Sequence, residues 1–215
     1  MTPCVGHLSN YVLDRQIFFY IIPSLEPVPG IKPIRFVMAF AVDHQHIVRP
    51  APSVDPPAPI LPIDFCIVKR NAIVLYSLQE QLMYRKVSET CSSFDYLHIV
   101  RLQEIPLQGG AFVARRIGQC LCIADRERYS LVYLDKVTAT PILPISQTAS
   151  EPGMRPHRPK IAVVAEEDFL ILSWTGAGTM GVFINVNGDP VRGTLQWPSH
   201  PLSICVSSSF PTFLG

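Results

Sequence analysis

Apolar positions along this chain come in short runs separated by turn-forming residues. No window sustains a helical apolar period, so the pattern predicts strands rather than amphipathic helices. The stretch 76–89 comes nearest to helical spacing, and its β-branched neighbours keep it with the strands. Residues 11–22 predict a first strand and 34–42 a second. Residues 63–68, 72–78 and 82–87 predict a three-stranded meander, turning through Lys69-Arg70-Asn71 and Gln79-Glu80. Further strands are expected over 96–105 and 111–116, then a hairpin of 119–124 and 129–134 turning through Asp125-Arg126-Glu127-Arg128. The last unit predicts strands over 161–165, 169–174, 181–186, 191–197 and 202–206. Its Asn187-Gly188-Asp189 turn between two apolar runs is the strongest short hairpin signal in the chain. Two proline-rich stretches, 49–62 and 140–159, read as extended linkers.

Groups of three or four strands recurring about every 45 residues match the blades of a β-propeller. A β-sandwich is the alternative, although it seldom carries long proline-rich joints between strand groups. Residues 1–30 are expected to form an N-terminal strand segment assignable to an earlier blade. Residues 31–215 are expected to form the partial propeller.

Composition strengthens the all-β reading. The 215 residues suffice for one domain with a real core, and the apolar share is 48%. The 21 prolines are about twice the usual share, each fixing φ and removing a backbone donor, which disfavours long helices. Charged residues make up only 16%, and the net charge of +1 gives no electrostatic argument for nucleic acid. The apolar segment Ile17-Phe18-Phe19-Tyr20-Ile21-Ile22 is stopped by Pro23, far short of the roughly 20 residues a spanning helix needs. It lacks the flanks of a signal peptide, and no Asn-x-Ser/Thr sequon is present. The six cysteines therefore read as reduced, buried thiols acting as small hydrophobes. Cys120 and Cys122 fall on one face of their strand, where a bridge between them is poorly placed.

Candidate chemistry is sparse. Gly176-Ala-Gly178-Thr-Met-Gly181 fits the G-x-G-x-x-G spacing, yet a dinucleotide site needs a helix to open there and a strand follows instead. A kinase-type loop needs a downstream strand lysine, and no lysine occurs after Lys160. The stretch is therefore expected to be a hairpin connection, and no cofactor is predicted. His44 and His46, beside Asp43, lack a third ligand at a recognisable spacing, and no metal is predicted. No nucleophile elbow or paired acid–base signature stands out, so the chain is expected to be non-catalytic. Basic residues pair as Lys69-Arg70, Arg85-Lys86, Arg115-Arg116 and Arg126/Arg128. Gathered on one face, such pairs would suit an acidic protein or membrane headgroups, and Arg115 and Arg116 are the candidate partner-binding residues.

Three stretches carry a family likeness. They are Ile63-Asp-Phe-Cys-Ile-Val-Lys-Arg-Asn-Ala-Ile-Val-Leu-Tyr76, then Gly110–Asp125 with Pro144-Ile-Ser-Gln147, then Phe169-Leu-Ile-Leu with Gly181-Val-Phe-Ile-Asn-Val-Asn-Gly-Asp-Pro-Val-Arg192 and Trp197-Pro. Together they resemble the citron homology (CNH) domain. The likeness is to its version in vacuolar sorting subunits related to the transforming growth factor-beta receptor-associated protein, from the CORVET tethering complex. The resemblance implies a seven-bladed propeller that docks a Rab-type small GTPase and other tethering-complex subunits. It also implies a cytoplasmic location at the endosomal or vacuolar membrane, with no catalytic residues. A citron homology module of a Rho exchange factor or kinase is the alternative, and a nucleotide-using enzyme the second. At about 45 residues per blade, this length holds four or five blades. An incomplete ring with unpaired strand edges, as in a piece of a longer protein, is therefore expected.

Overall fold

The computed structural model describes residues 15–21, 25–28, 30–44, 62–80, 97–148, 156–206 and 211–214. β1 (Tyr20–Ile21) and β2 (Glu26–Pro27) make a short antiparallel ribbon. β3 (Ala39–Val42), β4 (Ile63–Val68), β5 (Ala72–Glu80) and β6 (Leu97–Pro106) form a four-stranded antiparallel sheet in chain order. β7 (Val113–Ile117), β8 (Cys120–Ala124), β9 (Arg128–Tyr133) and β10 (Thr138–Pro144) form a second. β11 (Ile161–Val163), β12 (Asp168–Trp174), β13 (Thr179–Asn185) and β14 (Leu195–Trp197) form a third. β15 (Ser203–Val206) and β16 (Pro211–Leu214) pair after it. The fold is all-β, built of propeller-like blades, and no closed ring forms among the described residues.

Each sheet is sandwiched, which explains its near-continuous apolar strands. β8 reads Cys-Leu-Cys-Ile-Ala and is buried at every position. Alternation sends Leu121 and Ile123 toward Val68, Ile73 and Leu75 of the first sheet. Cys120, Cys122 and Ala124 turn the other way, onto Ile161, Phe169 and Ile171 of the third. β12 repeats the device, since Leu170 and Leu172 face away from the second sheet, toward Trp197 and Ile204. On the first sheet's far side, Phe65, Ile67 and Leu78 pack against Ile17 of the N-terminal segment and Val37 of the loop before β3. Each fully buried large side chain of this kind stabilises the stack by about 1.5–3 kcal/mol.

The sheets are stacked through their first strands. β3 lies against β7, β7 against β11, and β11 against β15. A parallel bridge between Asp43 and Arg116, and another between Ser146 and Trp174, show neighbouring sheets running in the same sense. Consequently the turns that follow each second strand, 69–71, 125–127 and 175–178, all lie at the end where β3, β7 and β11 begin. We call this end the starting face.

Several expectations are corrected. The stretch 140–159 is not wholly linker, because Thr138–Pro144 is the outer strand β10. Pro141 and Pro144 are accommodated because an edge strand has no outer neighbour to receive an N–H, and the ladder shifts register between Pro141 and Leu143. Gln79 and Glu80 do not turn but continue β5, paired with His98 and Leu97. Residues 34–42 yield only Ala39–Val42 as strand. Phe36 interrupts them at a φ of +61°, and Ile34 instead bridges Ile17. Residues 191–197 contribute only Leu195–Trp197, the chain before it being held by Val191 N–H donating to Phe183 O at 3.1 Å. Cys66, Cys120 and Cys122 are buried free thiols, whereas Cys205 is exposed near the end of β15. The expected strand 82–87, the linker 49–61, and Cys4, His46 and Cys91 lie outside the described residues.

Candidate functional site

The glycine-rich stretch is the β12–β13 hairpin. Thr175 donates from its backbone N–H and its hydroxyl to Gly178 O, at 2.8 and 2.9 Å, and Gly176 takes a φ of +97° that suits glycine. Two of its glycines lie in close contact with β14. A Cβ on Gly178 would stand 2.6 Å from Trp197 O, and one on Gly181 would stand 2.7 Å from the Trp197 ring. The glycines thus admit the tryptophan of β14 to the hairpin. The following Asn187-Gly188-Asp189 turn closes on Asn185, whose Oδ1 accepts from the N–H groups of Asn187 and Asp189, both at 2.9 Å.

Arg115 and Arg116 separate across β7, as consecutive strand residues must. Arg115 is exposed and donates to Ala114 O at 2.9 Å. Arg116 is 2% exposed, donates from Nε to Gly118 O at 2.7 Å, and lies between Cys66 of the first sheet and the Asp43 backbone bridge. Asp43, itself buried, accepts from Gly118 N–H at 3.0 Å. Arg116 is therefore a joint between blades, and Arg115 alone of the pair is exposed, on the strand face that carries Val113 and Ile117 toward the third sheet. Burial pushes the neighbouring Cys66 thiol up to about 11, so it stays protonated although Arg116 pulls the other way. Cys120 is likewise pushed up by burial, to about 12. Among the described residues no three His, Cys, Asp or Glu side chains gather as a metal site.

The starting face carries a different constellation. Lys69 and Arg70 stand at the first turn, Arg126 and Arg128 at the second, and Arg158 and Lys160 lead into β11. Its carboxylates are engaged locally. Asp125 accepts from the N–H groups of Glu127 and Arg128 at 2.7 and 2.8 Å, and Glu104 pairs with Arg101. Two exposed aromatic rings join the cations. Phe112 lies under the Arg126 guanidinium, 5.7 Å from ring centroid to charge, and Phe36 projects from the loop before β3. A groove of about 430 Å³ runs between Arg15, Phe36, Met38, Lys69, Arg70, Asn71 and Glu104. Beside the third sheet, His157 stacks on Trp174 at 4.6 Å and meets the His200 ring at 5.1 Å. His200 Nε2 donates to Arg158 O at 2.9 Å, leaving Nδ1 to accept from the Thr179 hydroxyl at 3.1 Å. Burial holds His200 below its ordinary value, with His157 and Lys160 adding to the effect.

Sequence reasoning named the Lys69-Arg70 and Arg126/Arg128 pairs, and the structure puts both on one face. It missed Phe36, Phe112 and Arg15. A lone aromatic within an apolar run, as Phe36 is within Ile34–Val42, leaves no signal that distinguishes display from burial.

The stacked four-stranded sheets, with their turns presented on one face, define a propeller-type scaffold. Among known proteins, vacuolar protein sorting-associated protein 3 of Schizosaccharomyces pombe is 25% identical to this chain over 97 residues, covering 45% of the chain and 10% of that protein. The chain thus meets about a tenth of that relative's length, and the similarity is distant. No family model matches the chain. No helix among the described residues is long and apolar enough to cross a membrane.

Proposed function

We propose that this chain is a non-catalytic docking module of a membrane-tethering subunit acting in vesicle-mediated protein transport at the endosomal or vacuolar membrane. The observation that carries this reading is one conjunction. A propeller-like blade stack coincides with similarity to a protein named for vacuolar sorting. The quoted citron homology motifs support it from the residue side, since they fall on β4–β5, β7–β8 and β12–β13. In this role the module binds other tethering-complex subunits and a Rab-type small GTPase, and reaches the membrane from the cytoplasm through those partners. It uses no cofactor, a reading supported by the strand that follows Gly181 where a dinucleotide site needs a helix.

Pull-down with small GTPases loaded with GTP or GDP tests the reading. Capture of an endosomal Rab-type GTPase in one nucleotide state only is expected, together with tethering subunits. Capture of a Rho-type GTPase instead would move the module to the signalling alternative. Calorimetry with millimolar ATP or NAD is expected to show no heat of binding, and a saturable isotherm would overturn the non-catalytic reading.

A further inference from the structure

The groove beside the Lys69–Asn71 turn has three features that a merely solvated surface does not need together. The first is charge. Arg15, Lys69 and Arg70 line it, and none of their cationic groups pairs with another described side chain. The one acidic lining residue, Glu104, is paired with Arg101. The groove therefore carries three cations against one carboxylate that is already paired. The second is an apolar anchor point, since the Phe36 ring is 78% exposed and stands beside half-buried Met38. The third is backbone conformation. Arg15 and Phe36 both hold positive φ, +53° and +61°, a region that non-glycine residues seldom adopt. Strain of this kind costs stability, and such outliers cluster at ligand clamps. The floor beneath is firm. Gly110 lets the loop after β6 press against the Lys69 carbonyl and the Met38 sulfur, and Leu107 N–H donates to Asn71 O at 2.9 Å.

We infer that this groove is the seat of an acidic peptide segment carrying one large apolar side chain. The carboxylates meet Arg15, Lys69 and Arg70, and the apolar side chain packs on Phe36 and Met38. Concavity and a single anchoring ring favour a peptide over a lipid surface, which would call for a convex basic patch. The inference rests on the docking reading above and names the chemistry of what is docked.

The test uses the whole 215-residue chain. The probe is a short fluorescein-labelled peptide in which one leucine is flanked by aspartates and glutamates. Fluorescence anisotropy is expected to show saturable binding that weakens between about 0.05 and 0.5 M salt. Lys69→Glu with Arg70→Glu is expected to weaken it by about tenfold or more. Phe36→Asn, which keeps the left-handed backbone and removes the ring, is expected to weaken it by about fivefold. Its melting temperature should stay level or rise, the opposite of what a structural ring would give. The proposal is overturned if the peptide does not bind, or if its asparagine/glutamine counterpart binds equally well. It is also overturned if neither variant alters affinity, or if phosphatidylserine vesicles sediment the chain while the peptide leaves it unbound. GTPase capture that fails while the peptide still binds overturns the tethering role and supports the groove. Capture that persists without peptide binding does the reverse.

Discussion

At Gly181 the side chain is dictated by its neighbours. A Cβ there meets the Trp197 ring at 2.7 and 2.9 Å and Leu170 at 3.1 Å, all inside the third sheet. Gly181→Ala forces a packed indole to shift, so a loss of about 1–3 kcal/mol is expected, read as a lower denaturation midpoint. A midpoint unchanged from the parent would mean that Trp197 is free to move. His200 supplies a second residue-scale expectation. The fold prefers its neutral form because it is partly buried and stands near His157 and Lys160, which together outweigh the opposite pull of its hydrogen bond to Arg158 O. The unfolded chain therefore takes up the proton first. Stability is fully present above the ordinary value of 6.5 and falls as pH drops below it. Melting temperatures between pH 7.5 and pH 5 are expected to decline (the window about the ordinary value), and the decline should flatten in His200→Gln. Equal slopes in parent and variant would remove His200 as the sensor.

Among the elements, β4 and β12 were the easiest to read from sequence. Ile63–Val68 matches its predicted bounds, and Asp168–Trp174 differs by one residue, because turn residues flank an apolar run at both ends. The failure at β10 has a definite cause. Proline counts as a breaker when the test is propensity, but an outer strand needs partners on one side only, and Pro141 and Pro144 still pair with Ser130 and Arg128. Arg116 shows a related limit. Strand alternation says that Arg115 and Arg116 diverge, yet which one is buried depends on the neighbouring blade, which the local pattern does not contain. The two prolines of β10 also serve a purpose at this scale. They deny N–H donors to an edge that is otherwise open for pairing. Replacing both (Pro141→Thr with Pro144→Thr) is expected to change the melting temperature little and to raise concentration-dependent self-association. Light scattering would show it, and unchanged scattering would mean that strand curvature or charge guards the edge instead.

Among the described residues the sheets stand in a row, each packing chiefly on its neighbours, so stability is carried at the joints as much as within the blades. The joint between the first and second sheets was invisible to the sequence, since Val68, Leu75, Leu121 and Val132 become one cluster only when separate meanders stack. The joint between the second and third has a polar pin. The buried Tyr129 hydroxyl of β9 donates to Leu172 O at 2.7 Å on β12 and accepts from Lys160 N–H at 3.0 Å, just ahead of β11. It therefore ties two strands of the next blade, and burial pushes its own pKa up so that it remains a donor at any physiological pH. Tyr129→Phe keeps the ring in its apolar setting with Cys122, Phe169 and Ile171 and strands two backbone groups. A cost of about 1–3 kcal/mol is expected from leaving such buried partners unsatisfied. The location of the loss matters more than its size. Amide hydrogen exchange should lose protection along β11 and β12 while β4 and β5 keep theirs, because the latter pack on the opposite side of the second sheet. Protection lost evenly over all three sheets would show instead that the stack opens as one cooperative unit, with the Tyr129 hydroxyl holding no particular joint.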